Sequence, residues 1–130
     1  MLAGCAAPAK LNTASGRPER TFNASADAVR ATLVSHLVNR GYQVTKESQS
    51  LVIAEKRAES VMAQVLLGTA YDANVNARAS FTIIPQGSTT RVVGDLALVS
   101  NPGSAFERVT VITNADELNR MQEAMNGITI

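Results

Sequence analysis

SADAVRATLVSHLVNRGYQVTKESQSLVIAEK, residues 25–56, decides the fold, because the period of its apolar residues changes once inside it. Val29, Leu33 and Leu37 recur at four-residue steps, with Val34 and Val38 widening the stripe, so a helix here buries one side. Ser25 suits the N-cap, and Asp27 places negative charge in the first turn, where the helix dipole favours it. Arg40 stands in the last turn, and Gly41 follows where a left-handed residue ends a helix. Tyr42 and Val44 then alternate with Gln43 and Thr45, which is strand patterning. Glu47–Ser50 is a polar turn, and Leu51–Lys56 returns as a β-branched strand.

Downstream, the clearest strand starts at Val75. Val75, Ala77, Ala79, Phe81 and Ile83 face one way, and Asn76, Arg78, Ser80 and Thr82 face the other. Pro85–Thr89 turns the chain, and Val92, Gly94, Leu96 and Leu98 return on the apolar face, opposite Arg91, Val93 and Asp95. Ser100–Ser104 is a further turn cluster, and Phe106–Thr113 is β-branched enough for another strand. Thr113–Glu117 starts a second helix, with Thr113 and Asp116 or Asn114 and Glu117 as the capping pair. Leu118, Met121 and Met125 form its apolar stripe, and Gly127 ends it. Upstream, Thr21–Asn23 reads as a short strand with Phe22 to bury.

One segment reads two ways. Val61, Met62, Val65 and Leu66 form a helical stripe ending at Gly68, yet Val61, Ala63, Val65 and Leu67 also alternate. The helix formers Ala, Glu, Met, Gln and Leu favour the helix. A segment apolar nearly all round is either buried or made for contact, so Val61, Met62, Val65 and Leu66 are the candidate partner-binding residues.

The expected fold is therefore α+β: an antiparallel sheet of four to five strands, with the N- and C-terminal helices covering one face in a helix-grip-like layout. At 130 residues the chain suits one domain. Nine Arg and three Lys against seven Glu and four Asp leave a net charge of +1 with no basic run. With three Phe, two Tyr and no Trp to stack on bases, that balance argues against nucleic acid as a partner. A single cysteine excludes an internal disulfide and any multi-cysteine metal site.

That cysteine has a context. Leu2-Ala3-Gly4-Cys5 resembles the lipobox of bacterial lipoproteins. The resemblance implies a thioether-linked diacylglyceryl group on Cys5, cleavage before it, and an acylated amine after cleavage. Ala6, a residue other than Asp in the next position, implies sorting to the outer membrane by the same resemblance. The basic and apolar segments that precede a lipobox are not in these 130 residues, so either they lie upstream or the match is accidental. Ala6–Arg20 is small, polar and Pro-bearing, the composition of a tether. The expected organisation is residues 1–20 as lipobox remnant and flexible tether, and 21–130 as a single α+β domain. Its run of polar cap, helix, Gly41-Tyr42 and two strands is similar to the opening of small BamC-like envelope lipoproteins.

Chemistry is harder to find. His36, the single histidine, stands on the first helix beside Leu33 and Leu37, with no sequence-visible nucleophile or carboxylate, so an ordinary contact at the helix border is expected. Tyr71-Asp72 reads as a turn closure, and Gly87 and Gly103 as isolated turn glycines. Neither a metal site nor a cofactor is expected. These readings give a lipid-anchored, non-enzymatic cell-envelope protein, facing the periplasm, that binds another protein or supports an assembly. The alternative is a carrier with a small apolar ligand between helix and sheet, because Ala77 and Ala79 leave room on the buried face.

Overall fold

The computed structural model describes residues 11–58 and 74–130. Among them the order is β1 (Glu19–Phe22), α1 (Ala26–Asn39), β2 (Gln43–Glu47), β3 (Leu51–Arg57), β4 (Val75–Gln86), β5 (Thr89–Ser100), β6 (Arg108–Val111) and α2 (Ala115–Asn126). All pairings are antiparallel, in the order β1-β5-β4-β3-β2. β6 also pairs with β5, along Ala97–Ser100, whereas β1 takes Thr90–Val93. The two short strands thus share one side of β5 end to end. This is why the sheet holds six strands where four to five were expected, while remaining five strands wide.

α1 carries the chain from β1 at one margin to β2 at the other, so it crosses the sheet. Ser25 Oγ caps it by accepting the Ala28 N–H, and Gly41, at φ +88°, provides the left-handed exit. Val29, Leu33 and Leu37 are buried as expected, but Val38 is 56% exposed and does not widen the stripe. α2 is capped by Asn114, whose side chain accepts from the N–H groups of Asp116 and Glu117. Leu118, Met121 and Met125 are buried. Both helices meet the same face: Leu33, Leu37, Met121 and Met125 share one core with Val52, Ala54, Ala79, Phe81 and Val92.

Gly94 permits that closeness, since a Cβ built on it stands 2.6 Å from the Met121 methyl carbon. Arg20 locks the end of α2: one guanidinium nitrogen donates to the carbonyls of Met125, Asn126 and Ile128 at 2.8, 3.2 and 2.6 Å. The Met125 carbonyl also accepts the Ile128 N–H at 3.2 Å, and a cation suits a helix C-terminus. The Arg20 guanidinium also lies 4.3 Å from the Phe22 ring centre.

The opposite face is polar but not uniformly wet. Arg91 forks onto Glu19 at 2.9 and 3.0 Å, Arg78 pairs with Glu55 at 2.8 Å, and Arg17 reaches Asp95 at 2.8 Å. On this face Val93 and Val99 are nonetheless buried. The domain also begins earlier than Thr21. Glu19 and Arg20 lie in β1, Pro18 is buried with its carbonyl accepting the Gly94 N–H, and Leu11 N–H donates to Gly16.

Candidate functional site

A helix-on-sheet seam closes where side chains on both sides are large, and opens where they are small. β4 presents Ala77 and Ala79 toward the helices, with the larger Phe81 and Ile83 following them on the same face. A cavity of about 310 Å³ results, at the low end of the range of roughly 300–1,000 Å³ for small-molecule sites. Ala77, Ala79 and Phe81 form its floor with Leu96 of β5. Leu33 and His36 of α1 supply one wall, and Met121, Ala124 and Met125 of α2 the other. The apolar lining is the one anticipated from Ala77 and Ala79.

The charged lining was not anticipated. Among the described residues, Arg40, Lys56, Arg57 and Arg120 border the cavity with one carboxylate, Glu117. Arg40, Arg57 and Arg120 belong to its solvent-exposed margin, and Ala77, Ala79 and Met125 to its buried depth. Glu117 is engaged by Arg120 at 3.3 Å, and Lys56 Nζ lies 4.7 Å from the centre of the Tyr42 ring. One trace of this arrangement was legible. Lys56 falls on the same side of β3 as Val52 and Ala54, so its period-two position turned a lysine toward the helices.

His36 does not make the ordinary contact expected of it. It lines the cavity, and its Nε2 is buried with no hydrogen-bond partner among the described residues. Burial, and secondarily the charge of Arg40, hold the imidazole below its usual 6.5, so it is neutral at pH 7. Burial likewise pushes the Tyr42 hydroxyl up, against the opposing charge of Arg40. Arg40 therefore acts electrostatically on both polar groups of this wall.

Cys5 lies outside the described residues, as do Val61, Met62, Val65, Leu66 and the Tyr71-Asp72 pair. Among the described residues no three His, Cys, Asp or Glu side chains stand close enough to hold a metal ion, and no helix is long and apolar enough to cross a membrane. A second surface feature lies on β6, where Val109 and Val111 alternate to the same side and are 46% and 65% exposed. Phe106, just before them, is 82% exposed. No family model matches this chain, and no curated protein matches it in sequence.

Proposed function

We propose that this is a non-enzymatic binding domain, held at a bacterial envelope membrane through an acylated Cys5, whose cavity takes a small, mainly apolar ligand. The cavity floored by Ala77 and Ala79 is the observation that carries the reading. An apolar pocket with a few polar groups at its margin is the usual form of a small-molecule site. Among the described residues no nucleophile or carboxylate bonds His36 Nε2, which favours binding over catalysis. The membrane half of the reading rests on Leu2-Ala3-Gly4-Cys5 and, by resemblance, on the outer-membrane sorting that Ala6 implies. Leu11 is the first described residue held by a backbone hydrogen bond, so five residues separate Cys5 from it, a reach of about 20 Å over the intervening steps when extended. Such a domain stays beside the surface that anchors it.

Native mass spectrometry of the protein recovered from cells tests the cavity. A bound small-molecule mass that disappears in Ala79→Leu, a variant that fills the floor, supports the reading. A ligand-free wild type that also takes up no apolar compound in vitro overturns it.

A second reading, docking of a protein partner or an envelope assembly, is favoured by the exposed apolar side chains of Phe106, Val109 and Val111. Replacing all three with Ser leaves the cavity alone, so loss of a co-purifying protein in that variant separates the two.

A further inference from the structure

We infer that the ligand is a single-chain amphiphile with an anionic head: its aliphatic tail lies over Ala77 and Ala79, and its carboxylate or phosphate is held at the margin by Arg40, Lys56 and Arg120. This rests on the cavity being a ligand site, and specifies what occupies it. The first argument is charge. The whole chain is only +1, yet Arg40, Lys56 and Arg120 all border this one cavity, where Glu117 is the one carboxylate among the described lining residues. Glu117 is shared with Arg120, and Lys56 lies over the Tyr42 ring, a contact that uses the charge without exhausting its N–H donors. Arg40 has no carboxylate partner among the described ion pairs.

The second argument is the separation of chemistries. The buried depth is made of Ala77, Ala79, Phe81 and Met125, which offer a tail dispersion contacts and no polar partner. The cations are confined to exposed or half-exposed positions, where their own desolvation is small. A neutral apolar ligand would use the floor and leave the cations idle. A cationic amphiphile would meet repulsion at the margin. His36 lines the cavity with its Nε2 buried and unpartnered, and in the Nε2–H tautomer this atom can donate to a head-group oxygen. The size of the cavity, about 310 Å³, suits one medium-length chain and not a two-chain lipid.

The full chain is titrated calorimetrically with sodium decanoate, decyl phosphate, decanol and decyltrimethylammonium, all below micelle formation. A head group gaining a charge-assisted hydrogen bond in a partly desolvated site binds about tenfold tighter or more than the alcohol. The expected order is therefore one or both anions first, decanol next and the ammonium last, with the tighter anion naming the head group. Arg40→Gln/Arg120→Gln changes two exposed residues and keeps Lys56, so it should weaken the anions severalfold toward the affinity of decanol while changing decanol less. Anions binding no better than decanol, or a preference undiminished by the double substitution, overturns the anionic head and leaves the cavity reading standing. Failure of all four probes to bind overturns both.

Discussion

Gln122 of α2 pairs with Glu19 of β1 as a strand would: its side-chain oxygen accepts the Glu19 N–H and its amide donates to the Glu19 carbonyl, each at 2.9 Å. β1 lies at the margin of the sheet, so these two groups have no neighbouring strand to bond. The helix thereby closes a sheet edge and is fixed in register along it.

Gln122→Ala leaves both Glu19 backbone groups without that partner and is expected to cost about 1–3 kcal/mol, read by chemical denaturation. Gln122→Glu keeps an acceptor for the Glu19 N–H but loses the donor and faces a carbonyl with negative charge, so it should cost more. The Glu19 amide should also exchange faster with solvent in both variants. An unchanged exchange rate in Gln122→Ala would show that the pairing does not hold the edge.

Acid should expose the neighbouring side chain. The Glu19 carboxylate accepts two bonds from Arg91 and one from the Ser15 N–H, which together outweigh burial and hold its pKa at about 2, below the ordinary 4.5. A depressed carboxylate contributes stability that is complete above pH 4.5 and is lost as pH falls toward 2. With solvent screening at the sheet margin, the contribution is on the order of 2 kcal/mol. Glu19→Gln removes it, and should flatten the stability curve between pH 4.5 and 2 relative to wild type. Equal acid slopes in the two proteins would contradict the assignment.

Leu33 is 1% exposed in the seam between α1 and the sheet. Leu33→Ala should cost about 2–5 kcal/mol through the lost contacts and the space left behind. Leu33→Asp adds an unpaired carboxylate at the same place, and about 4 kcal/mol or more removes most of the stability of an ordinary small domain. Circular dichroism should find it unfolded at room temperature. A cooperative wild-type transition in Leu33→Asp would mean that the buried face of α1 has been misassigned.

Most of the fold was legible because its signals are local and periodic. The four-residue steps from Val29 to Leu37, the stop at Gly41 and the alternation from Val75 to Ile83 each describe a face, and two one-faced helices need a one-faced sheet. β1 and β6 were poorly bounded because four-residue strands owe their existence to β5 beside them, a partner about 70 residues away for β1. The cavity was half legible. Ala77 and Ala79 mark missing volume in a single strand, whereas the cationic margin joins Arg40, Lys56 and Arg120 from three separate elements. Nothing local in the sequence indicates that those three meet. His36 was misread for the same reason, since whether a side chain finds a partner depends on the wall opposite.

The anchor is tested in the protein as its own cells make it. Cys5→Ser should abolish a diacylglyceryl mass on the mature N-terminus and release the domain from membranes, because two or more chains are needed for firm attachment. Wild-type protein that sediments with membranes while carrying no acyl mass would dismiss Cys5 as the anchor.

Gly94 connects the packing of α2 to the cavity. A Cβ at this position would stand 2.6 Å from Met121 Cε and 3.2 Å from its sulfur, so Gly94→Ala forces the methionine to move. What must move is the end of a flexible side chain, and Met121 lines the cavity, so it has somewhere to go. Replacing glycine inside a strand by alanine also recovers roughly 0.5–1 kcal/mol of backbone entropy. The two effects oppose, and the net change in stability should stay within about 1 kcal/mol. The displaced methyl group should instead occupy part of the cavity, shortening the longest alkyl chain the protein accepts. In a Met121→Ala background nothing remains to be displaced at the closest approach, so Gly94→Ala should become stabilising there. A loss above about 2 kcal/mol in the single variant would show that Met121 is confined and that the space beside it is not available to a ligand.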